Sequence, residues 1–206
     1  MENHQTIETV IFDLGGVLVD WNPKYLYRKI FDDEATVEYF LKEVCTSDWN
    51  EQQDAGRPLA EATRILVDKH PDYETEIRAY YGRWEEMLGG AIHETVDILK
   101  QIHAQQKHRL YALTNWSHET FPIAIERYDF LQLFEGILVS GQEKLKKPDP
   151  RIYQLIMDRY KIKPEGAIFI DDNTKNVAAA KAQGIEAIHF KSPGQLRSAL
   201  TEKKIL

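Results

Sequence analysis

The sequence predicts an α/β fold, a doubly wound parallel sheet with an inserted α-helical cap. Three observations carry this. Five short apolar runs without polar alternation are spread along the chain, as strands buried on both faces of a parallel sheet require. Segments of helical period separate the later runs. The roughly 70 residues after the first run show helical period throughout and no strand run.

The first run is Thr9-Val10-Ile11-Phe12, ending at Asp13. Leu110-Tyr111-Ala112-Leu113 ends at Thr114, Ile137-Leu138-Val139 at Ser140, and Ala167-Ile168-Phe169-Ile170 at Asp171. Ala187-Ile188-His189-Phe190 is the fifth. Between them, Thr95–Gln105 places Val96, Leu99 and Ile102 on one helical face. Pro150–Tyr160 repeats Ile152, Ile156 and Tyr160 at four-residue spacing behind two prolines that mark its start. Asn173–Gln183 runs through Val177 to Gly184, a residue suited to the position just past a helix end. In the inserted stretch, Val37, Leu41 and Val44 share a face, as do Leu59, Ala62 and Leu66. Tyr73, Ile77, Tyr80, Tyr81, Trp84 and Leu88 form an aromatic stripe that reads as the core of a helix bundle rather than a cofactor box. Gly89-Gly90 punctuates the return to the sheet. The predicted organisation is an α/β core of residues 1–20 and 91–206 with a cap of residues 21–90.

The chain has 206 residues, 43% hydrophobic and 29% charged, enough for a buried core and unlike a disordered or low-complexity chain. Its 26 basic and 33 acidic residues leave a formal charge of −7. That sign repels polyanions, so nucleic acid and anionic membrane are not expected partners, and any phosphate must be handled by a local device. Cys45 is the lone cysteine, which excludes an intrachain disulfide or a cysteine zinc site and reads as a small buried hydrophobe. The polar start Met1-Glu2-Asn3-His4-Gln5 lacks the pattern of a signal peptide, and no apolar run is long enough to span a bilayer. A cytoplasmic monomer or homodimer is the expectation.

In a parallel sheet the strand C-termini share one edge, where ligands bind. Asp13, Thr114, the pair Asp171-Asp172 and Lys147 all fall at that edge. Singly, each has an ordinary explanation as a turn, a cap or a solvated charge. Together, three converging carboxylates repel one another unless a cation joins them, and their hard oxygens suit Mg²⁺. A threonine hydroxyl, backbone N–H groups and a lysine ammonium supply donors for a phosphoryl group, and an aspartate in line with its phosphorus can act as nucleophile.

The order Phe12-Asp13-Leu14-Gly15-Gly16-Val17-Leu18, then Leu113-Thr114-Asn115, then Lys147-Pro148-Asp149-Pro150-Arg151-Ile152-Tyr153, then Phe169-Ile170-Asp171-Asp172-Asn173 resembles the four motifs of the haloacid-dehalogenase-like hydrolase superfamily across nearly the whole chain. The likeness is to its phosphatases with a small helical cap on a Rossmann-like core, including bacterial sugar-phosphate phosphatases. It implies Asp13 as nucleophile and Mg²⁺ ligand, with Thr114 and the Asn115 backbone holding the transferring phosphoryl group. Lys147 would pair with the nucleophile and the phosphate. Asp172 would be the second carboxylate on Mg²⁺, with Asp171 beside it binding directly or through water, Gly15 offering its carbonyl, and Asn176 orienting this set.

One position departs from that pattern. Most of the superfamily's phosphatases carry an acid/base aspartate two residues after the nucleophile, and here that residue is Gly15. His118, with a charge state that changes near neutral pH, and Asp20 are candidate substitutes, against a plain loop histidine and a turn carboxylate. Without the acid, leaving groups that need little protonation are favoured, which suggests sugar 1-phosphates. For the rest of the substrate, Trp21, Asn22 and Trp116 are the expected contacts. Trp49, Asp54 and Arg57 are further candidates, set against packing inside the cap for Trp49 and a helix–helix turn for Asp54-Ala55-Gly56-Arg57.

Three rival readings stand beside a phosphatase. A haloacid dehalogenase shares the aspartate nucleophile, but Asp171-Asp172 would repel its carboxylate substrate and Gly15 replaces an aromatic. A phosphoacceptor receiver domain carries its acidic pair after the first strand, not here. A catalytically weak binding or regulatory protein is kept open by Gly15. No phosphate-cradling P-loop or dinucleotide-binding glycine motif occurs.

Overall fold

The computed structural model describes residues 6–206; the Met1–Gln5 segment read above lies outside the described residues. Among those described, the strands in chain order are β1 (Thr9–Phe12), β2 (Val19–Trp21), β3 (Leu88–Ala91), β4 (Arg109–Thr114), β5 (Gly136–Val139), β6 (Ala167–Asp171) and β7 (Glu186–His189). Helices α1 (Lys24–Tyr27), α2 (Glu34–Tyr39), α3 (Ser47–Asp54), α4 (Leu59–Lys69) and α5 (Glu74–Gly82) lie between β2 and β3. Later come α6 (His93–Gln105), α7 (Phe121–Arg127), α8 (Ser140–Glu143), α9 (Pro150–Tyr160), α10 (Thr174–Ala182) and α11 (Pro193–Glu202).

The five apolar runs form one parallel sheet in the order β5-β4-β1-β6-β7. Because side chains alternate across a strand, the runs split cleanly between two cores. Val10, Phe12, Leu110, Ala112, Ile168 and Ile170 pack on one face with α6 and α11. Ile11, Tyr111, Leu113 and Phe169 pack on the other with Ile152 and Ile156 of α9 and Val177 of α10. Continuous hydrophobicity is what two buried faces demand. The fifth run pairs one residue earlier than its composition suggested, through Glu186↔Ile168.

The sheet order fixes the site. The chain leaves β1 for β4 on one side and later occupies β6 on the other, so the strand order reverses around β1. In such sheets the crevice opens at the carboxyl ends of the strands flanking that reversal. Asp13 follows β1, Thr114 ends β4 and Asp171 ends β6, so three predicted residues share this rim.

Between β2 and β3 the aromatic stripe packs as a bundle core. Tyr80 and Ile77 are buried, and Tyr27 lies 4.7 Å from Phe40 and 6.1 Å from Tyr80, ring to ring. A five-residue π-helical turn, Phe40–Val44, extends α2. One expectation fails here: the stretch read as free of strands contributes Trp21 and the Leu88–Ala91 segment to an antiparallel pair with a register shift. Gly89-Gly90 is strand rather than punctuation. A Cβ on Gly89 would stand 2.2 Å from the Asp20 carboxylate and 2.8 Å from the Tyr25 ring, so glycine lets that close pair form.

Candidate active site

The charged centre is built by strand ends. The Asp13 N–H donates to the Ile170 carbonyl at 2.8 Å, extending the β1–β6 ladder, and its Oδ1 accepts the Leu14 N–H at 2.7 Å. Lys147 is fully buried. Its Nζ donates to the Leu113 carbonyl at 2.9 Å and to Asp171 Oδ2 at 2.7 Å, and pairs with Asp13 Oδ2 at 2.9 Å, which uses all three ammonium protons. Asn115 holds the lysine backbone in place, since its Oδ1 accepts the Lys147 N–H at 2.8 Å and its Nδ2 donates to the Lys147 carbonyl at 3.0 Å.

The electrostatics follow from burial of unlike and like charges together. Burial pushes Asp13 up to about 8, with the Asp171 and Asp172 charges adding to the rise and Lys147 opposing it. Burial disfavours the Lys147 charge, yet the Asp13 and Asp171 carboxylates carry its pKa above the ordinary lysine value. Burial, then the Asp171 charge, raises Asp172. One ammonium therefore faces three carboxylates, so the centre without a further cation takes up protons, and a cation bound among the oxygens would release them.

Oxygens of Asp13, Asp171 and Asp172 lie within 4.8 Å of one another. Asp171 is already engaged: Oδ1 accepts from the Asn173 N–H at 2.8 Å, Oδ2 takes the Lys147 bond, and Asn176 Nδ2 reaches both oxygens at 3.1 Å. Asp13 and Asp172 instead face a cavity of about 270 Å³. Gly16 makes that approach possible. Its φ is +73°, and a Cβ there would sit 2.4 Å from Asp172 Oδ2.

The cavity brings together Asp13, Gly15, Trp21, Asn115, Trp116 and Asp172 of the predicted residues. Thr114, Lys147 and Asp171 lie behind this wall, fully buried. The Thr114 hydroxyl and the Trp21 Nε1 are buried with no hydrogen-bond partner. Trp116 is wedged 5.6 Å from Trp84 and donates from Nε1 to Thr120 at 3.1 Å.

Other candidates go elsewhere. Asn22 is not in the cavity wall; its Oδ1 accepts the Lys24 N–H at 2.9 Å at the start of α1. His118 is exposed outside the wall, and Asp20 accepts from the Tyr25 hydroxyl at 2.7 Å. Trp49 packs 5.0 Å from Tyr80 and donates to the Ala62 carbonyl at 3.2 Å, so it is a packing residue. Arg57 bonds Gln53 and the Trp49 carbonyl. Asp54, in contrast, does line the cavity, and burial lifts it to about 7, with the Glu51 charge adding and Lys146 and Lys147 opposing. Asn50, Tyr81, Trp84, Ser117 and Thr120 complete the wall and were not singled out as contacts. Tyr81 carried a readable signal. Adjacent residues on a helix point about 100° apart, so with Tyr80 central in the bundle core Tyr81 falls at its edge, packed on Trp49 and open to the cavity.

Comparison with known proteins decides the family. The family model described as haloacid dehalogenase-like hydrolase matches residues 7–184. The chain belongs to that family. Haloacid dehalogenase-like relatives include a phosphorylated carbohydrates phosphatase of Thermotoga maritima, 26% identical over 188 residues and covering 89% of this chain and 84% of the relative. A sesquiterpene phosphatase of Aspergillus oryzae is 26% identical over 185 residues, covering 90% of each. In fold, the chain is similar to a haloacid dehalogenase family enzyme of Bacteroides thetaiotaomicron solved as a magnesium complex. That match has a TM-score of 0.71 at 21% identity and covers 90% of this chain and 93% of the other. The chain sits on the phosphatase side of the haloacid dehalogenase-like hydrolases. Among the described residues no helix is long and apolar enough to cross a membrane.

Proposed function

We propose that the chain is a Mg²⁺-dependent phosphomonoester hydrolase acting on a small phosphorylated metabolite, a sugar phosphate such as a sugar 1-phosphate, through an aspartyl phosphate on Asp13. The observation that carries this is the Asp13 carboxylate, facing the cavity while Lys147 grips its Oδ2 at 2.9 Å. The residues fit the metal. Three clustered carboxylates that one lysine cannot neutralise offer the hard oxygens that suit Mg²⁺. Asp13, Asp172 and the Gly15 carbonyl would hold it, with Asp171 fixed beside them by Asn173, Asn176 and Lys147. When bound, Mg²⁺ offsets charge on the phosphoryl oxygens and orients them.

The chain's own groups do the rest. Asp13 attacks phosphorus in line, its P–O bond forming as the bond to the sugar oxygen breaks, and water then cleaves the aspartyl phosphate. The free Thr114 hydroxyl and the Asn115 N–H supply donors to the phosphoryl oxygens, and Lys147 keeps the two anions together. Trp21, Trp84 and Trp116 offer flat walls for the sugar's C–H faces, and the partnerless Trp21 Nε1 offers a donor to one of its oxygens. The Thermotoga relative's phosphorylated carbohydrates support that substrate class. We extend the reading to the organisation of the chain: residues 1–20 and 91–206 as catalytic core and 21–90 as cap.

Phosphate release from a panel of sugar phosphates, with and without Mg²⁺ and beside Asp13→Asn, tests the reading. Release that needs both is the expected result. Silence from wild-type protein across the panel, with Mg²⁺ binding retained, would overturn it in favour of a binding protein.

A further inference from the structure

Cleaving an alkyl phosphate calls for a proton at the leaving oxygen, and attack by water calls for a base. Gly15 provides neither. We propose that Asp54, presented to the cavity from the end of α3 in the cap, is the general acid and base of the reaction. This rests on the phosphatase reading above.

Three carboxylates line the cavity, Asp13, Asp54 and Asp172, and Asp54 is the one outside the metal-competent cluster. It is therefore free for proton transfer. Its backbone is pinned to the strand ends that carry the phosphate-handling residues. The Ser140 hydroxyl donates to the Asp54 carbonyl at 2.6 Å and accepts the Trp116 N–H at 2.9 Å. Glu51 on the same helix pairs with Lys146, and the Leu59 N–H donates to Glu119 at 2.7 Å. The turn after Asp54 seats directly on the core at Gly56, which has φ +97° and where a Cβ would stand 2.9 Å from the Lys144 side chain. A carboxylate so held is preorganised rather than carried on a swinging arm.

The charge environment suits both roles. Burial and Glu51 raise the Asp54 pKa to about 7 against the pull of Lys146, Lys147 and the Ser117 N–H. Tyr81 of α5 lines the same cavity with its hydroxyl held by Asn50 and Gln53, and Asp13 and Asp172 lie in that wall too. Near neutral pH the group exists in both forms, the condition for donating and then accepting one proton. The neutral Asp54 O–H gives its proton to the bridging oxygen as the Asp13 oxygen–phosphorus bond forms and the sugar oxygen–phosphorus bond breaks, so the alcohol leaves neutral. The Asp54 carboxylate then takes a proton from water as the water oxygen bonds to phosphorus. The Asp13 oxygen–phosphorus bond breaks, and Asp13 is restored as phosphate leaves. The other candidates are spent or absent: Asp20 on Tyr25, and His118 outside the wall.

The test is kcat/KM for wild type, Asp54→Asn and Asp54→Glu on glucose 6-phosphate, a poor leaving group, and on p-nitrophenyl phosphate, a good one. Asp54→Asn is expected to lose at least about 100-fold on the sugar ester and less than about tenfold on the aryl ester. The limb of the sugar-ester pH profile near 7 vanishes with it, and Asp54→Glu retains that limb, displaced. Gly15→Asp in the Asp54→Asn background restores sugar-ester turnover, because nothing lies within 4 Å of a Cβ at Gly15. Equal losses on both esters, or no loss on either, would overturn the assignment while leaving the phosphatase reading intact. An inactive wild type would instead remove the reading beneath it.

Discussion

Replacing Lys147 by Met tests whether a single ammonium holds the centre together. Methionine keeps the length and apolar stem but removes three hydrogen bonds, at 2.7, 2.9 and 2.9 Å, two of them to carboxylates. Charged hydrogen bonds contribute about 1.5–3 kcal/mol each and the bond to the Leu113 carbonyl about 1 kcal/mol. Relief of ammonium desolvation offsets part of that sum, and breaking one side of a buried ion pair costs about 3–5 kcal/mol overall. Against a domain stability on the order of 5–15 kcal/mol, this shifts the urea midpoint substantially. Adding Asp171→Asn removes one of the stranded charges, so the double variant regains at least about 1 kcal/mol over Lys147→Met. Urea denaturation followed by tryptophan fluorescence at fixed pH measures both. A Lys147→Met cost under about 1 kcal/mol, or a double variant less stable than the single, would refute the charge argument.

Other outcomes follow from the same geometry. Gly16→Ala meets a positive φ and the Asp172 carboxylate at 2.4 Å, so it lowers stability by about 1–2 kcal/mol and weakens Mg²⁺ binding by calorimetry, whereas Gly15→Ala does neither. Asp54 has a folded-state pKa of about 7 against a reference of 3.8, so its stabilising contribution is complete below about 3.8 and is lost as pH rises through 7. Asp54→Asn therefore melts higher than wild type at pH 8, and thermal scans should show that gap closing toward pH 4. Ser140→Ala removes the buried hydroxyl that links the Asp54 carbonyl to the Trp116 N–H, costing about 1–3 kcal/mol in chemical denaturation.

What the sequence disclosed tracks how local each signal was. The runs at Val10, Leu110 and Ile168 read as strands because both faces are buried, which removes the alternation that would otherwise confuse the pattern. Their closing residues marked the rim for the same reason: a parallel sheet puts all C-termini on one edge. Leu88–Ala91 was hidden because two glycines carry little strand propensity, and its partners Val19, Asp20 and Trp21 lie more than 60 residues earlier in the chain. Asn22 lay next to the motif but its side chain turned to the α1 start, a choice between an amide's local and distant partners that spacing does not encode. Asp54 was visible as a polar residue in a turn. Its place in the cavity wall depends on Ser140, 86 residues away, and no periodicity links the two.

Trapping the covalent intermediate tests the central claim most directly. Wild-type protein turning over a sugar phosphate with Mg²⁺ is quenched with borohydride, which reduces an aspartyl phosphate to homoserine, and the peptide around Phe12-Asp13-Leu14 is sequenced by mass spectrometry. The account predicts homoserine at position 13, absent without substrate and absent in Asp13→Asn. Phosphate release at full rate from wild type with Asp13 unmodified under these conditions, or undiminished release by Asp13→Asn, would contradict it.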